Sequence, residues 1–183
     1  MTMKYTGILT TTLKTRDAVA ETAFHSLTHD MEYKDILIEL KRKDYWKIQL
    51  ISDLDDKDPK KIMVELAEKT RVFVNINKHI YTILDEGSLK TVQNRSNENK
   101  EYIVFALVTY KDNRVAEQAL KTLQALYPIG KYVNYLESGV LWILTLRVDS
   151  EKIAQDIAKE IAVTKSRERG LLANPHYQNA LIL

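Results

Sequence analysis

Apolar and polar positions alternate in two characters along this chain, and each predicts its own kind of element. Residues 3–13 (MKYTGILTTTL) are threonine-rich and apolar by turns, which predicts a strand; residues 101–110 (EYIVFALVTY) predict a more deeply buried one. A helix follows each. Val19, Ala20, Ala23, Phe24 and Leu27 form one apolar stripe, and Val115, Ala116, Ala119, Leu120 and Leu123 form another. Asp17 and Asn113 stand just ahead as N-caps. Two strands come next in each half. Ile36, Ile38 and Leu40 alternate with polar neighbours before a turn at Lys43-Asp44, and residues 45–51 continue; residues 131–136 precede a turn at Ser138-Gly139, then residues 140–148. Asp58-Pro59 signals a second helix with Ile62, Leu66 and the stem of Lys69 in its stripe, and Ser150 precedes one with Ile153, Ala154, Ile157, Ala158 and Ile161. Residues 72–84 and 171–183 close each half as strands. The order strand, helix, strand, strand, helix, strand occurs twice. It predicts an α+β protein of two tandem ferredoxin-like (βαββαβ) units, with helices on one face of antiparallel sheets.

The two halves also share residues at one constant offset. Val19-Ala20-Glu21-x-Ala23-x-x-x-Leu27 recurs as Val115-Ala116-Glu117-x-Ala119-x-x-x-Leu123, and Trp46, Leu50 and Asp53 meet Trp142, Leu146 and Asp149. Two copies make a duplicated domain rather than a solenoid. The predicted organisation is a first unit at 1–86, a polar linker at 87–100 (GSLKTVQNRSNENK) and a second unit at 101–183. Each copy, at about 85 residues, gains stability by burying surface on a neighbour. The pattern suggests a homodimer turned into one polypeptide, with function at the joint surface.

Composition narrows the chemistry. With 45% apolar and 28% charged residues the chain is ordinary for a soluble globular protein, and a net charge of +2 supplies no global field for nucleic acid or an acidic membrane. The absence of cysteine removes disulfides, thiolate nucleophiles and sulfur-ligated metals. No apolar run has membrane-spanning length and no signal-peptide layout opens the chain, so a cytoplasmic protein is expected. The five glycines are too dispersed for a phosphate-cradling loop, and no Ser-His-Asp order is visible. Neither catalytic residues nor a bound cofactor is expected.

A resemblance rests on two segments. Ala18-Val19, with Ala23-Phe24-His25-Ser26-Leu27-Thr28, resembles the first helix of the PurS family, the small subunit of phosphoribosylformylglycinamidine synthase. Leu171-Leu172-Ala173-Asn174-Pro175 resembles that family's Leu-Leu-Ala-Asn-Pro motif between last helix and last strand; the first copy has Val72-Phe73-Val74-Asn75 there, keeping the asparagine. Each copy is similar to one complete family member. One departure is clear: the family's longer Gly/Pro-containing loop between first strand and helix is replaced by Lys14-Thr15-Arg16-Asp17 and Lys111-Asp112-Asn113-Arg114. The resemblance implies a non-catalytic subunit of a glutamine- and ATP-dependent ligase complex of purine biosynthesis. Its implied partners are the synthetase (PurL) and glutaminase (PurQ) subunits, with self-association through the sheets and no nucleic acid or membrane.

The residues expected at an interface are Leu171, Leu172, Ala173, Asn174, Pro175, Asn75, Trp46 and Trp142. Asn174-Pro175 favours a turn, and the ten tyrosines and two tryptophans supply aromatic anchors, with core packing the competing account of Trp46 and Trp142. His25 and His29 have an i, i+4 spacing that can hold zinc, but the glutamate of a metalloprotease motif is missing and the pair reads as a surface feature at a helix end. Asp53, Asp55, Asp56 and Asp58 read as capping and solvation, and the basic run at 165–169 as a solvated helix end. The alternative function is a ferredoxin-like module for small-molecule sensing or RNA binding. Arg42, Lys43, Tyr45, Trp46 and Lys47 are a faint version of an RNA-reading strand, whereas Leu141, Trp142, Ile143 and Leu144 are not.

Overall fold

The structure, a computed structural model, describes residues 5–51, 53–54, 57–89, 93–96, 98–165 and 169–183. It is a mixed α+β protein with antiparallel strand pairing. The chain divides into two compact units, and each draws on both sequence copies: Met1–Thr15, Asp44–Ser88 and Asp112–Gly139 form the first, Arg16–Lys43, Leu89–Lys111 and Val140–Leu183 the second.

In the first unit, β1 (Thr6–Leu13) lies between β3 (His79–Asp85) and the later half of β2 (Leu37–Leu50). The early half of β6 (Val133–Arg147) continues the order β3-β1-β2-β6. Leu9 pairs with Trp46 on one side and Ile83 on the other, which fixes the face that meets α2 (Pro59–Lys69) and α3 (Arg114–Leu126). The core joins Leu9, Ile48 and Leu50 to Ile62, Met63 and Leu66 of α2 and Ala116 and Leu123 of α3. Asp58 caps α2 by accepting from the Lys60 amide at 2.9 Å, with Pro59 in the first turn. Lys69 does not join the apolar stripe; it stays exposed and pairs with Glu65, and Met63 and Ala67 complete the stripe instead.

In the second unit, the later half of β6 lies between the early half of β2 and β5 (Glu101–Tyr110), and both β4 (Gln93–Ser96) and β7 (Gln178–Ile182) pair with β5. The helices here are α1 (Ala18–His25) and α4 (Glu151–Ala162). Their core joins Ala20, Ala23 and Leu27 to Val104, Ala106, Val108, Trp142, Leu144, Ala154 and Ile161. Asp17 caps α1 as expected, accepting from the Val19 and Ala20 amides, and its carboxylate also holds Arg42 at 3.0 Å. Asn113 is not a side-chain cap. Its amide donates to the Leu136 carbonyl at 2.9 Å, and Asp112 accepts from the Arg114 amide in its place.

Two further differences from the sequence-based expectation have physical causes. Neither predicted hairpin turn forms, and β2 and β6 run unbroken for 14 and 15 residues. Pairing with neighbouring strands holds both places extended; Asp44 lies opposite Thr11 of β1, within 3.5 Å of its hydroxyl. The closing strands are shorter than predicted, because residues 75–78 and 174–177 coil into hydrogen-bonded turns. The stretch 87–100 contributes β4. Among the described residues no helix is long and apolar enough to cross a membrane.

Candidate functional site

In the second unit a groove of about 500 Å³ runs between α1 and the segment that follows α4. Ala18, Thr22, Ala23 and Ser26 give it a floor of small side chains, Trp142 underlies it, and Val19, Leu171 and Leu172 wall it. Gly170 begins the second wall. Its φ of +77° belongs to the left-handed region, and a Cβ there would lie 1.9 Å from the Val163 carbonyl oxygen. The chain then locks onto the end of α4: the Leu171 amide donates to the Ile161 carbonyl at 2.9 Å, and the Ala173 amide to that of Ala162 at 2.7 Å. Leu172 and Ala173 are buried by this contact, while Leu171 keeps 36% of its surface in solvent and Val19 52%. Val115, which occupies the matching place on α3, is exposed as well.

The sequence-predicted residues divide into three roles. Leu171, Leu172 and Trp142 converge on the groove. Trp142 is only 6% exposed and belongs chiefly to the core, and Trp46 packs edge-on against Phe73 at 5.1 Å in the first unit. Asn174 and Asn75 spend their side chains on turns. Asn174 Oδ1 accepts from the His176 amide at 3.0 Å, and Asn75 Oδ1 from the Asn77 amide at 3.1 Å. The backbone carbonyl of each asparagine closes the same turn, accepting from Gln178 and from His79 respectively, both at 2.8 Å.

A lysine that sequence reasoning missed completes each turn. Lys111 Nζ donates to the Pro175 carbonyl and Lys14 Nζ to the Ile76 carbonyl, each at 2.7 Å. The available signal was that a lysine follows the first strand in both copies. The two turns are thus the same device built twice, and the asparagine shared by the copies is explained by backbone geometry.

The second unit holds another concavity of about 460 Å³ lined by Asp30, Met31, Glu32, Tyr33, Ile36, Glu160 and Arg169. The buried Tyr33 hydroxyl donates to Glu160 Oε1 at 2.5 Å. Burial, then this hydrogen bond to a carboxylate, pushes the phenol well above its ordinary pKa, with Arg169 acting in the opposite direction. Glu32 has a φ of 63°, an uncommon conformation for a side-chain-bearing residue.

The remaining candidates are dispersed. Arg42 is held by Asp17 and Lys47 by Glu86, while Tyr45 is buried. Asp58 is a helix cap; Asp55 and Asp56 lie outside the described residues, as do Ser166, Arg167 and Glu168 of the basic run. Among the described residues no group of three or more His, Asp or Glu side chains is placed to hold a metal ion. No family model, curated protein or solved structure matches this chain.

Proposed function

We propose that this chain is a non-catalytic assembly subunit made of two tandem ferredoxin-like, PurS-like units, acting in the cytoplasm. It bridges the synthetase and glutaminase subunits of phosphoribosylformylglycinamidine synthase and self-associates through its sheets. Its contribution is geometric. Holding the glutaminase beside the synthetase shortens the path of ammonia and limits its loss to water, and this chain makes no bond itself.

The observation that carries the proposal is the α1 groove. The two segments on which the family resemblance rests, the first helix and the Leu171-Leu172 motif, face one another across it and leave an apolar surface open. A small-residue floor with aliphatic walls accepts an apolar side chain of a partner, the arrangement found at the centre of many interfaces.

The test is reconstitution with the synthetase and glutaminase subunits of the same organism. Co-elution on size exclusion, with a rise in glutamine-dependent but not ammonia-dependent amidine formation, is the expected result. Elution alone with unchanged rates overturns the proposal. The Tyr33–Glu160 concavity favours a second reading, a small-molecule-sensing module, because it brings polar groups together around an open hollow. A ligand-dependent rise in melting temperature that Tyr33→Phe abolishes would select that reading.

A further inference from the structure

In the first unit β3 stands at the end of the strand order, and among the described residues it pairs with β1 alone. The direction of its backbone groups follows from one bond. The Lys14 amide donates to the Lys78 carbonyl at 2.8 Å, and the register runs on from there, so Ile80, Thr82 and Leu84 turn their amides and carbonyls toward β1. Those of Tyr81, Ile83 and Asp85 point outward with the His79 carbonyl, while the His79 amide is taken by the Asn75 carbonyl. Natural sheets blunt such an edge with lysine, proline or a bulge. β3 (HIYTILD) carries none of these, and its Ile80 is 56% exposed.

The sequence of β3 is complementary to itself. One antiparallel register pairs the whole strand with a second copy across a two-fold axis, and it is centred on Thr82. His79 then faces Asp85, Ile80 faces Leu84, Tyr81 faces Ile83, and Thr82 faces its own copy. Each is a favourable cross-strand pair. The outward groups of Tyr81 and Ile83 meet as hydrogen-bonded pairs in this register. His79 Nδ1 accepts from the Asn75 amide at 3.4 Å, which leaves Nε2 to carry the proton and donate to the Asp85 carboxylate opposite. β7, which closes the second copy as β3 closes the first, lacks this symmetry. Centred on Ala180, it would set Gln178 against Ile182 and Asn179 against Leu181.

We infer that a second copy of this chain docks on the outer edge of β3, joining two sheets into one across a two-fold axis at Thr82. The inference deepens the self-association named above and rests on that part of the proposed function. The helix over this edge fits the same axis. α2 touches both β1 and β3; from it Lys60 reaches Asp85 at 3.6 Å and Glu68 accepts from the Tyr81 hydroxyl at 2.6 Å, with the partly exposed Val64 between them. A helix above the gap between those strands stands about 5 Å from the axis, so the two copies of α2 run antiparallel about 10 Å apart, a packing distance. Lys60 of one copy then lies toward Glu68 of the other. Because β7 does not pair with itself, the assembly closes as a dimer and does not grow into a filament.

The experiment is sedimentation of the purified full chain alone over about 1–200 µM, with thiol cross-linking to read the register. The parent should pass from monomer to dimer. Thr82 is exposed, so Thr82→Lys should keep the fold by circular dichroism; it sets like charges opposite one another on the axis and should weaken the dimer at least ~5-fold. The chain has no cysteine, so Thr82→Cys adds a single thiol. The axis brings the two Cα atoms at that position to about 4.5 Å, within disulfide reach. At Ile80, also exposed, the two copies lie about 14 Å apart. Mild oxidation should therefore link Thr82→Cys chains in pairs and leave Ile80→Cys chains single. A parent that stays monomeric at ~200 µM, a dimer that Thr82→Lys leaves intact, or equal cross-linking of the two variants overturns the inference. The second of these would keep self-association and move it off β3, and the bridge between synthetase and glutaminase is measured separately by reconstitution.

Discussion

Gly170→Ala tests whether the wall of the α1 groove depends on a backbone shape that only glycine supplies. At φ +77° a side-chain-bearing residue costs about 1–3 kcal/mol. Sterics add to that. The new methyl would lie 1.9 Å from the Val163 carbonyl oxygen, 2.5 Å from its carbon and 2.8 Å from the Glu160 oxygen. All three are backbone atoms of the end of α4 and the residue after it, so no rotamer change relieves the overlap. Overpacking of this kind costs about 1–3 kcal/mol, giving a combined loss of about 2–6 kcal/mol. For a chain of this length each kcal/mol lowers Tm by about 2–4 °C, so a fall of at least ~4 °C is expected. Gly87→Ala is the control, since a Cβ there meets nothing within 4 Å, and its Tm should hold within about 1–2 °C. Thermal unfolding followed by circular dichroism measures both. Hydrogen exchange should show the loss concentrated at the Leu171 and Ala173 amides, which bond to Ile161 and Ala162. A Gly170→Ala chain that melts within ~1 °C of the parent would refute the reasoning.

The other predictions use the same geometry. Val19→Glu and Leu171→Glu place charges on exposed rims, so each should shift unfolding by no more than ~0.5 kcal/mol while abolishing co-elution with the partner subunits; retained co-elution would remove the groove from the interface. Asn174→Ala and Asn75→Ala each delete a turn hydrogen bond of one copy and should cost about 0.5–1.5 kcal/mol by urea denaturation; a cost in one copy alone would contradict the equivalence of the turns. Burial with a carboxylate partner pushes Tyr5 up to about 12 and raises Tyr33 further. Because these folded values exceed the unfolded one, the associated stability is complete below about pH 10 and fades as pH climbs from there toward the folded values. Urea midpoints measured from pH 9 upward should fall less steeply for Tyr33→Phe than for the parent, and equal slopes would remove Tyr33 as a cause.

The sequence alone determined what is local. Asp17, Asp58 and Ser150 each cap the helix predicted after them, because a capping oxygen reaches amides only two or three residues ahead. The apolar stripes named Leu27, Leu123, Leu66 and Ile161 as core, since a helix buries one face whichever partner covers it, while Val19, Val115 and Ile153 of the same stripes stay exposed. Of the candidate groove, Leu171, Leu172 and Trp142 were legible as interface residues, whereas Val19 and Ser26 were legible only as helix residues and Thr22 not at all.

Tertiary structure decided the rest. A stripe states that a face is apolar and leaves open which sheet receives it, so nothing in Val19 to Leu27 revealed that α1 packs with β5 and α4 of the other copy. Lys43-Asp44 and Ser138-Gly139 permit a turn without requiring one, and strand pairing along β2 and β6 kept both extended. The lysine bonds to Ile76 and Pro175 join residues distant in sequence, where periodicity carries no information. Dihedral preference and capping act over a few residues and are written into the chain; the choice among equivalent apolar partners is made only when distant surfaces meet.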